Sequence, residues 1–244
     1  MSLAAPSTPI KILHLSDLHF GRIEEHVLSD LERFLAAKEN NFHLAILTGD
    51  LTQRAKKAQF IAAKQFLAKL NCPLFVVPGN HDVPLYNIFL RFFNPYFKFR
   101  RYFGSLSPEF YEDDRVVVYG LWTVNNHKVE EGRLSSRQVT ALEAKFKSVP
   151  QDKLKIIAFH HPLVSMEKSK VQAGLQRVRK LHPHVMMWGH DHRSGARYWN
   201  EETSSGPLLV AAGTSVSNRT REESNSFNVL TLTEKVITVQ TISY

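Results

Sequence analysis

Cysteine is nearly missing from this 244-residue chain: Cys72 stands alone, so no internal disulfide can form and a disulfide-stapled secreted fold is excluded. No apolar run approaches the roughly 18 residues that cross a bilayer as a helix. The opening MSLAAPSTP lacks the basic-then-apolar layout of a secretory leader, so a cytoplasmic location is expected. Internal repeats, low-complexity stretches and an interdomain linker are also absent, which removes solenoids and strings of domains. Acidic residues are outnumbered, 23 against 31 basic, and the formal charge of +8 favours anionic partners. Residues 1–9, rich in Ala, Pro, Ser and Thr, are expected to form a flexible tail, and 10–244 one domain.

What the chain does have is a recurring event. A short apolar run ends and a residue able to bind a metal follows at once. Ile10 to Leu15 leads to Asp17 and His19; Leu44 to Leu47 leads to Gly49 and Asp50; Leu74 to Val77 leads to Gly79, Asn80 and His81. Ile156 to Phe159 leads to His160, and Val185 to Trp188 leads to Gly189, His190 and His192. Each run reads as a buried strand. Between them lie helical spacings: Leu28, Leu31, Phe34 and Leu35; Phe60, Ala63, Phe66, Leu67 and Leu70; Val139, Leu142 and Phe146. Strands alternating with helices predict a largely parallel α/β sheet whose ligands gather beyond the carboxyl ends of the strands. From Leu208 onward three strand-like runs without a long helix predict an antiparallel meander completing a second sheet.

Carboxylates, an amide oxygen and imidazoles together suit a borderline transition metal, whereas magnesium or calcium would take oxygen alone. The donors exceed what one ion with open positions can use, which points to two ions sharing a bridging carboxylate. Two such ions, roughly 3.5–4 Å apart, can hold a bridging hydroxide and offset the charge of a phosphoryl transition state. Gly49, Gly79 and Gly189 each precede a candidate ligand where the chain turns off a strand, a position that favours glycine. His14, His43, His182 and His184 read as structural and His26 and His127 as surface residues, as does Cys72 as a structural thiol.

SDLH at 16 to 19, TGD at 48 to 50, PGNHD at 78 to 82, HHP at 160 to 162 and GHDH at 189 to 192 resemble, in order and content, the calcineurin-like metallophosphoesterase superfamily. The resemblance implies a four-layer αββα sandwich, two mixed β-sheets flanked by helices, with a dinuclear centre of Mn, Fe or Zn at the strand ends. It places Asp17, His19 and His192 on one metal and Asn80, His160 and His190 on the other, with Asp50 as the bridge. His81 would contact the phosphate and act as general acid. Asp82 and His161 would stand behind the ligands. Arg22 and Arg219 are candidate substrate contacts.

GDLTQRA and GNHD depart from the GD-x-x-D-R-G and GNHE of protein serine/threonine phosphatases in the superfamily. The pattern is most similar to the bacterial branch with class III cyclic nucleotide phosphodiesterases, although Gln53 stands where some members carry Asp. The expected function is a phosphodiesterase. Alternatives are a nucleotide-sugar or lipid-linked pyrophosphatase, a nuclease of the Mre11 or SbcD type, and, last, a non-catalytic scaffold. Residues 83–115 interleave Tyr86, Phe89, Phe92, Phe93, Tyr96, Phe97, Phe99, Tyr102 and Phe103 with Arg91, Lys98, Arg100 and Arg101. They read as a cap insertion that packs most of its aromatics on the core; the mixture also suits a nucleotide or nucleic acid, or peripheral contact with a membrane.

Overall fold

The computed structural model describes residues 8–104, 109–128, 130–233 and 236–244. The chain runs β1 (Ile10–Leu15), α1 (Glu25–Ala36), β2 (Leu44–Leu47), α2 (Lys57–Leu67) and β3 (Leu74–Val76). Two short helices follow, α3 (Ile88–Phe93) and α4 (Phe97–Phe103), then β4 (Phe110–Glu112), β5 (Val116–Leu121) and α5 (Ser136–Phe146). The remainder is β6 (Leu154–Phe159), α6 (Ser169–Arg179), β7 (Val185–Trp188), β8 (Gly195–Asn200), β9 (Ser205–Ala211), β10 (Ser226–Thr233) and β11 (Val236–Ser243).

These strands form two mixed sheets, ordered β11-β10-β1-β2-β3 and β4-β5-β6-β7-β9-β8. One buried cluster takes Ile12 and Ile46 from the first sheet and Val118, Ile156 and Met187 from the second, so the sheets share a core. The same strands turn Val117, Ile157 and Met186 the other way, onto Val139 and Leu142 of α5 and Leu175 of α6. That is the period of two in a sheet covered on both faces, each fully buried aliphatic side chain contributing ~1.5–3 kcal/mol. α5 begins where Ser135 Oγ accepts from the backbone N–H of Gln138 at 3.2 Å, an N-cap worth about 1 kcal/mol. No helix among the described residues is long and apolar enough to cross a membrane.

The carboxy-terminal expectation needs correction. β9 runs parallel to β7 in the second sheet, while β10 and β11 form a hairpin in the first, β10 antiparallel to β1 with Ile12 opposite Leu230. The polar stretch between β9 and β10 is a crossover and not a turn. It is pinned at Ser215, whose backbone N–H and hydroxyl both donate to the Ser16 carbonyl, at 3.1 and 3.0 Å. The aromatics of 83–115 also divide differently: Phe99 and Phe103 are buried, but Tyr86, Phe89, Phe92, Phe93 and Phe97 are exposed. Cys72 is half-buried and unpaired, and burial pushes its thiol up to about 11, as suits an inert structural group.

Candidate metal centre

The loops after β1, β2, β3, β6 and β7 bring all seven candidate ligands together. Around Asp17, the Nε2 atoms of His192 and His19 lie 3.2 and 3.5 Å from Oδ1, and the two Nε2 atoms are 3.3 Å apart. Around His160, Nε2 lies 3.0 Å from Asn80 Oδ1 and 3.3 Å from His190 Nδ1. Asp50 stands between the groups, its Oδ2 at 3.7 Å from His19 Nε2 and 3.4 Å from His160 Nε2. Its other oxygen, Oδ1, accepts the backbone N–H of His81 at 2.8 Å.

Carbonyl groups fix which imidazole nitrogens carry protons. His160 Nδ1–H donates to Thr48 O at 2.6 Å and His192 Nδ1–H to Arg219 O at 2.5 Å. The Nε2 lone pairs therefore point at carboxylate and amide oxygens that are lone-pair donors themselves. Asp17 Oδ1 is buried without a hydrogen-bond partner among the described residues. Converging lone pairs repel unless a cation lies among them, so the residues fit metal ions, and the carbonyls orient the rings for them. Burial opposes charge on His160 while the Asp50 carboxylate beside it favours a proton there, so positive charge among these donors is stabilised, and a cation on the Nε2 lone pair would take the place of that proton. Burial likewise works to raise Asp50, and the surrounding His160, His81 and His19 hold it below the usual carboxylate range.

The backbone is strained where the ligands attach. Asp17, His19, Asp50, His190 and His192 all have positive φ, between 47° and 73°. Gly49 shares this conformation at 95°, but Gly79 and Gly189 do not. Those two are required by space: a Cβ on Gly79 would lie 2.1 Å from Asp50 Oδ1, and one on Gly189 1.8 Å from Ser16 Oγ. Ser16 Oγ in turn donates to Asp17 Oδ2 at 2.7 Å.

Asp82 does not orient the His81 ring. Its carboxylate accepts four hydrogen bonds that tie two ligand loops together: from Leu51 N (3.2 Å), Thr52 N (2.9 Å), Thr52 Oγ1 (3.1 Å) and Gly79 N (3.0 Å). His161 contacts Thr123 Oγ1 through Nδ1 at 2.9 Å, and its Nε2 is buried with no partner among the described residues. Burial, then the neighbouring His160 and His190, hold it well below the usual histidine range. Its ligand atom lies within 4.8 Å of those of His160 and His190, close enough to share an ion with them.

Beside the cluster, His81 Nδ1 is 2.8 Å from Gln53 O and so carries a proton, while Nε2 accepts from Arg219 Nη1 at 2.9 Å. Arg54 Nη1 reaches the same carbonyl at 3.1 Å. Burial lowers the His81 pKa. Arg219 thus stands beside His81, whereas Arg22 is exposed on the adjoining strip, where Asn218 N–H donates to its carbonyl at 2.9 Å. Sequence reasoning missed Arg54 as a site residue. Its position four residues beyond Asp50 in a ligand loop was the available signal.

Two facing sheets with imidazole and carboxylate groups gathered at their strand ends give a candidate metal centre of the kind that serves hydrolysis. A model of the family described as calcineurin-like phosphoesterase matches residues 10–194, and the chain belongs to that family. The 3',5'-cyclic adenosine monophosphate phosphodiesterase CpdA of Escherichia coli K12 is 27% identical over 213 residues, covering 78% of this chain and 72% of that protein. The probable glycerophosphodiester phosphodiesterase GpdQ of Arcobacter nitrofigilis is 28% identical over 168 residues, covering 65% and 59%. Purple acid phosphatase PPD1 from yellow lupin seeds shares the fold, with a TM-score of 0.63 at 14% identity over 98% of this chain and 52% of that one.

Proposed function

We propose that this chain hydrolyses phosphodiesters at a dinuclear divalent-metal centre. The observation that carries the proposal is the placement of Asp50 between two clusters of converging lone pairs, 3.7 Å from His19 on one side and 3.4 Å from His160 on the other. Asp17, His19 and His192 would hold one ion, and Asn80, His160 and His190 the other, with Asp50 shared. The donor types suit Mn, Fe or Zn. When bound, such a pair activates water and offsets charge on the phosphoryl group.

The chain's own side chains supply the rest. Arg219 and Arg54 flank His81 and present guanidinium groups to the single negative charge of a diester. His81 keeps the proton on Nδ1 against Gln53 O, which leaves Nε2 as the atom that, once protonated, delivers a proton to the departing alkoxide as its P–O bond breaks. Arg219 now occupies Nε2 and would turn to the phosphate oxygens when substrate enters. The preference for diesters is supported by the activities named for CpdA and GpdQ. Cyclic nucleotides and glycerophosphodiesters are therefore the first natural substrates to try.

The test compares bis(p-nitrophenyl) phosphate with p-nitrophenyl phosphate, with added manganese and with a chelator. Faster, chelator-sensitive turnover of the diester is expected. Preference for the monoester, or turnover indifferent to chelation, would contradict the proposal; no turnover of either would revive a scaffold role.

A further inference from the structure

Helix α3 is amphipathic in the wrong sense for a soluble surface. Its sequence Ile-Phe-Leu-Arg-Phe-Phe buries the arginine and exposes the rings: Phe89 is 69% and Phe93 77% exposed, and Tyr86 just before them 80%. Ile88, Phe92 and Phe97 extend the exposed surface. The orientation is fixed by Arg91, whose guanidinium donates through Nε to Asn126 O at 2.8 Å, through Nη2 to Asn125 O at 3.2 Å and through Nη1 to Pro84 O at 3.4 Å. A helix free to roll would bury its phenylalanines for ~1.5–3 kcal/mol each. The three carbonyls hold Arg91 inward and the rings outward. Phe89 and Phe93 lie ring against ring at 4.8 Å, and an exposed apolar cluster of this kind marks a contact site.

Its position and charge narrow the partner. Val83 and Leu85 line one small hollow with Gln53, Arg54, Asn80 and His81, so the apolar face begins where the candidate site ends. From Val83 to Gly104 the sequence holds Arg91, Lys98, Arg100 and Arg101 and no acidic residue. Lys98 Nζ donates to Ala55 O at 3.1 Å and Arg100 lies over the Trp122 ring at 5.0 Å, while Arg101 is exposed. The exposed charge of the segment is therefore that of Arg100 and Arg101, which an anionic surface would pair and a second copy of this face would not. Rings that enter the headgroup layer beside basic residues that meet anionic lipid satisfy both features at once.

We infer that the face formed by residues 84–104 docks on an anionic lipid bilayer and sets the site against a lipid-borne phosphodiester. The substrate part rests on the phosphodiesterase proposal; the docking part does not. The test is co-sedimentation of the full chain with phosphatidylcholine vesicles, with and without phosphatidylglycerol, for wild type and Phe89→Ser/Phe93→Ser. Wild type is expected to sediment with the phosphatidylglycerol vesicles and to be released by high salt. The double variant should bind roughly tenfold more weakly or worse, with unchanged melting temperature and unchanged hydrolysis of bis(p-nitrophenyl) phosphate. Wild type that stays in solution, or a variant that binds as well, overturns docking. Loss of a solution dimer in the variant overturns it too, by assigning the face to a second copy. Vesicle binding by a wild type that hydrolyses no diester supports docking and refutes the catalytic proposal, and with it the lipid-borne substrate.

Discussion

Two regions of this chain reverse the ordinary distribution of polarity, and they do so by different means. At the strand ends Asp17, His19, Asp50 and His160 are buried to within 1% exposure. Between Tyr86 and Phe97 six large apolar side chains face solvent. The buried polar groups are held many times over, by the carbonyls of Thr48 and Arg219, by Ser16, by the four bonds to Asp82 and by five residues in left-handed conformations. The exposed apolar groups depend on one buried anchor, Arg91. A site tied from many directions is a place where geometry serves chemistry. A surface hung from one residue can change without disturbing that chemistry.

The comparison breaks most visibly at Asp50. Asp50→Ala should lower turnover of bis(p-nitrophenyl) phosphate by roughly 10³-fold or more, and metal analysis should find the paired ions lost. Retention of both metals with full turnover would dissolve the first region as a metal centre. His81→Asn should reduce kcat by roughly 10²-fold with metal content intact. The loss should be smaller for p-nitrophenyl esters than for methyl esters, because p-nitrophenolate leaves without help from an acid. Equal losses on both leaving groups would remove His81 from the acid role.

Stability gives a finer division. Asp82→Asn places an amide where four donors converge, and chemical denaturation should show a loss of about 1–3 kcal/mol. His14, buried in β1 and 3.0 Å from Thr48 Oγ1, has its pKa pushed down to about 3 by burial, against the pull of Asp17. The folded chain thus keeps it neutral while the unfolded chain protonates it below its ordinary 6.5. Its contribution is complete above that value and lost as pH falls, by up to about 1.4 kcal/mol per pH unit. Denaturation at pH values between about 4 and 6.5 should accordingly show a steeper fall for wild type than for His14→Gln. The smallest effect belongs to the second region: Phe89→Ser/Phe93→Ser should stay within about 0.5 kcal/mol of wild type. A larger loss would mean that these rings pack against the fold after all.

The strand ends were legible because a β-branched run followed at once by Asp, Asn or His leaves little choice of local structure, and the five such runs lie at their expected positions. The direction of strain was not legible. Gly79 and Gly189 looked like turn residues, but they clear space for Asp50 and Ser16, and the left-handed conformations fall on the ligands. The helical spacing of Val171, Leu175 and Val178 in α6 and the apolar run of β5 were present and went unread. β8 is an exposed edge strand with Arg197 and Asn200 in it, and offers no apolar alternation to find. The sheet assignment of β9 and β10 depends on where the 212–225 crossover is tethered, at Ser16, 199 positions from Ser215. Arg54 and Arg219 meet at His81 for the same reason: their approach is a product of the fold and of no local pattern.

The central claim is a pair of ions bridged by Asp50, and anomalous diffraction at the manganese edge from crystals grown with manganese tests it most directly. The account predicts two peaks roughly 3.5–4 Å apart, one among Asp17, His19 and His192 and one among Asn80, His160 and His190, with Asp50 touching both. A single peak, or a second peak ligated by His161 in place of Asn80 and remote from Asp50, would contradict it.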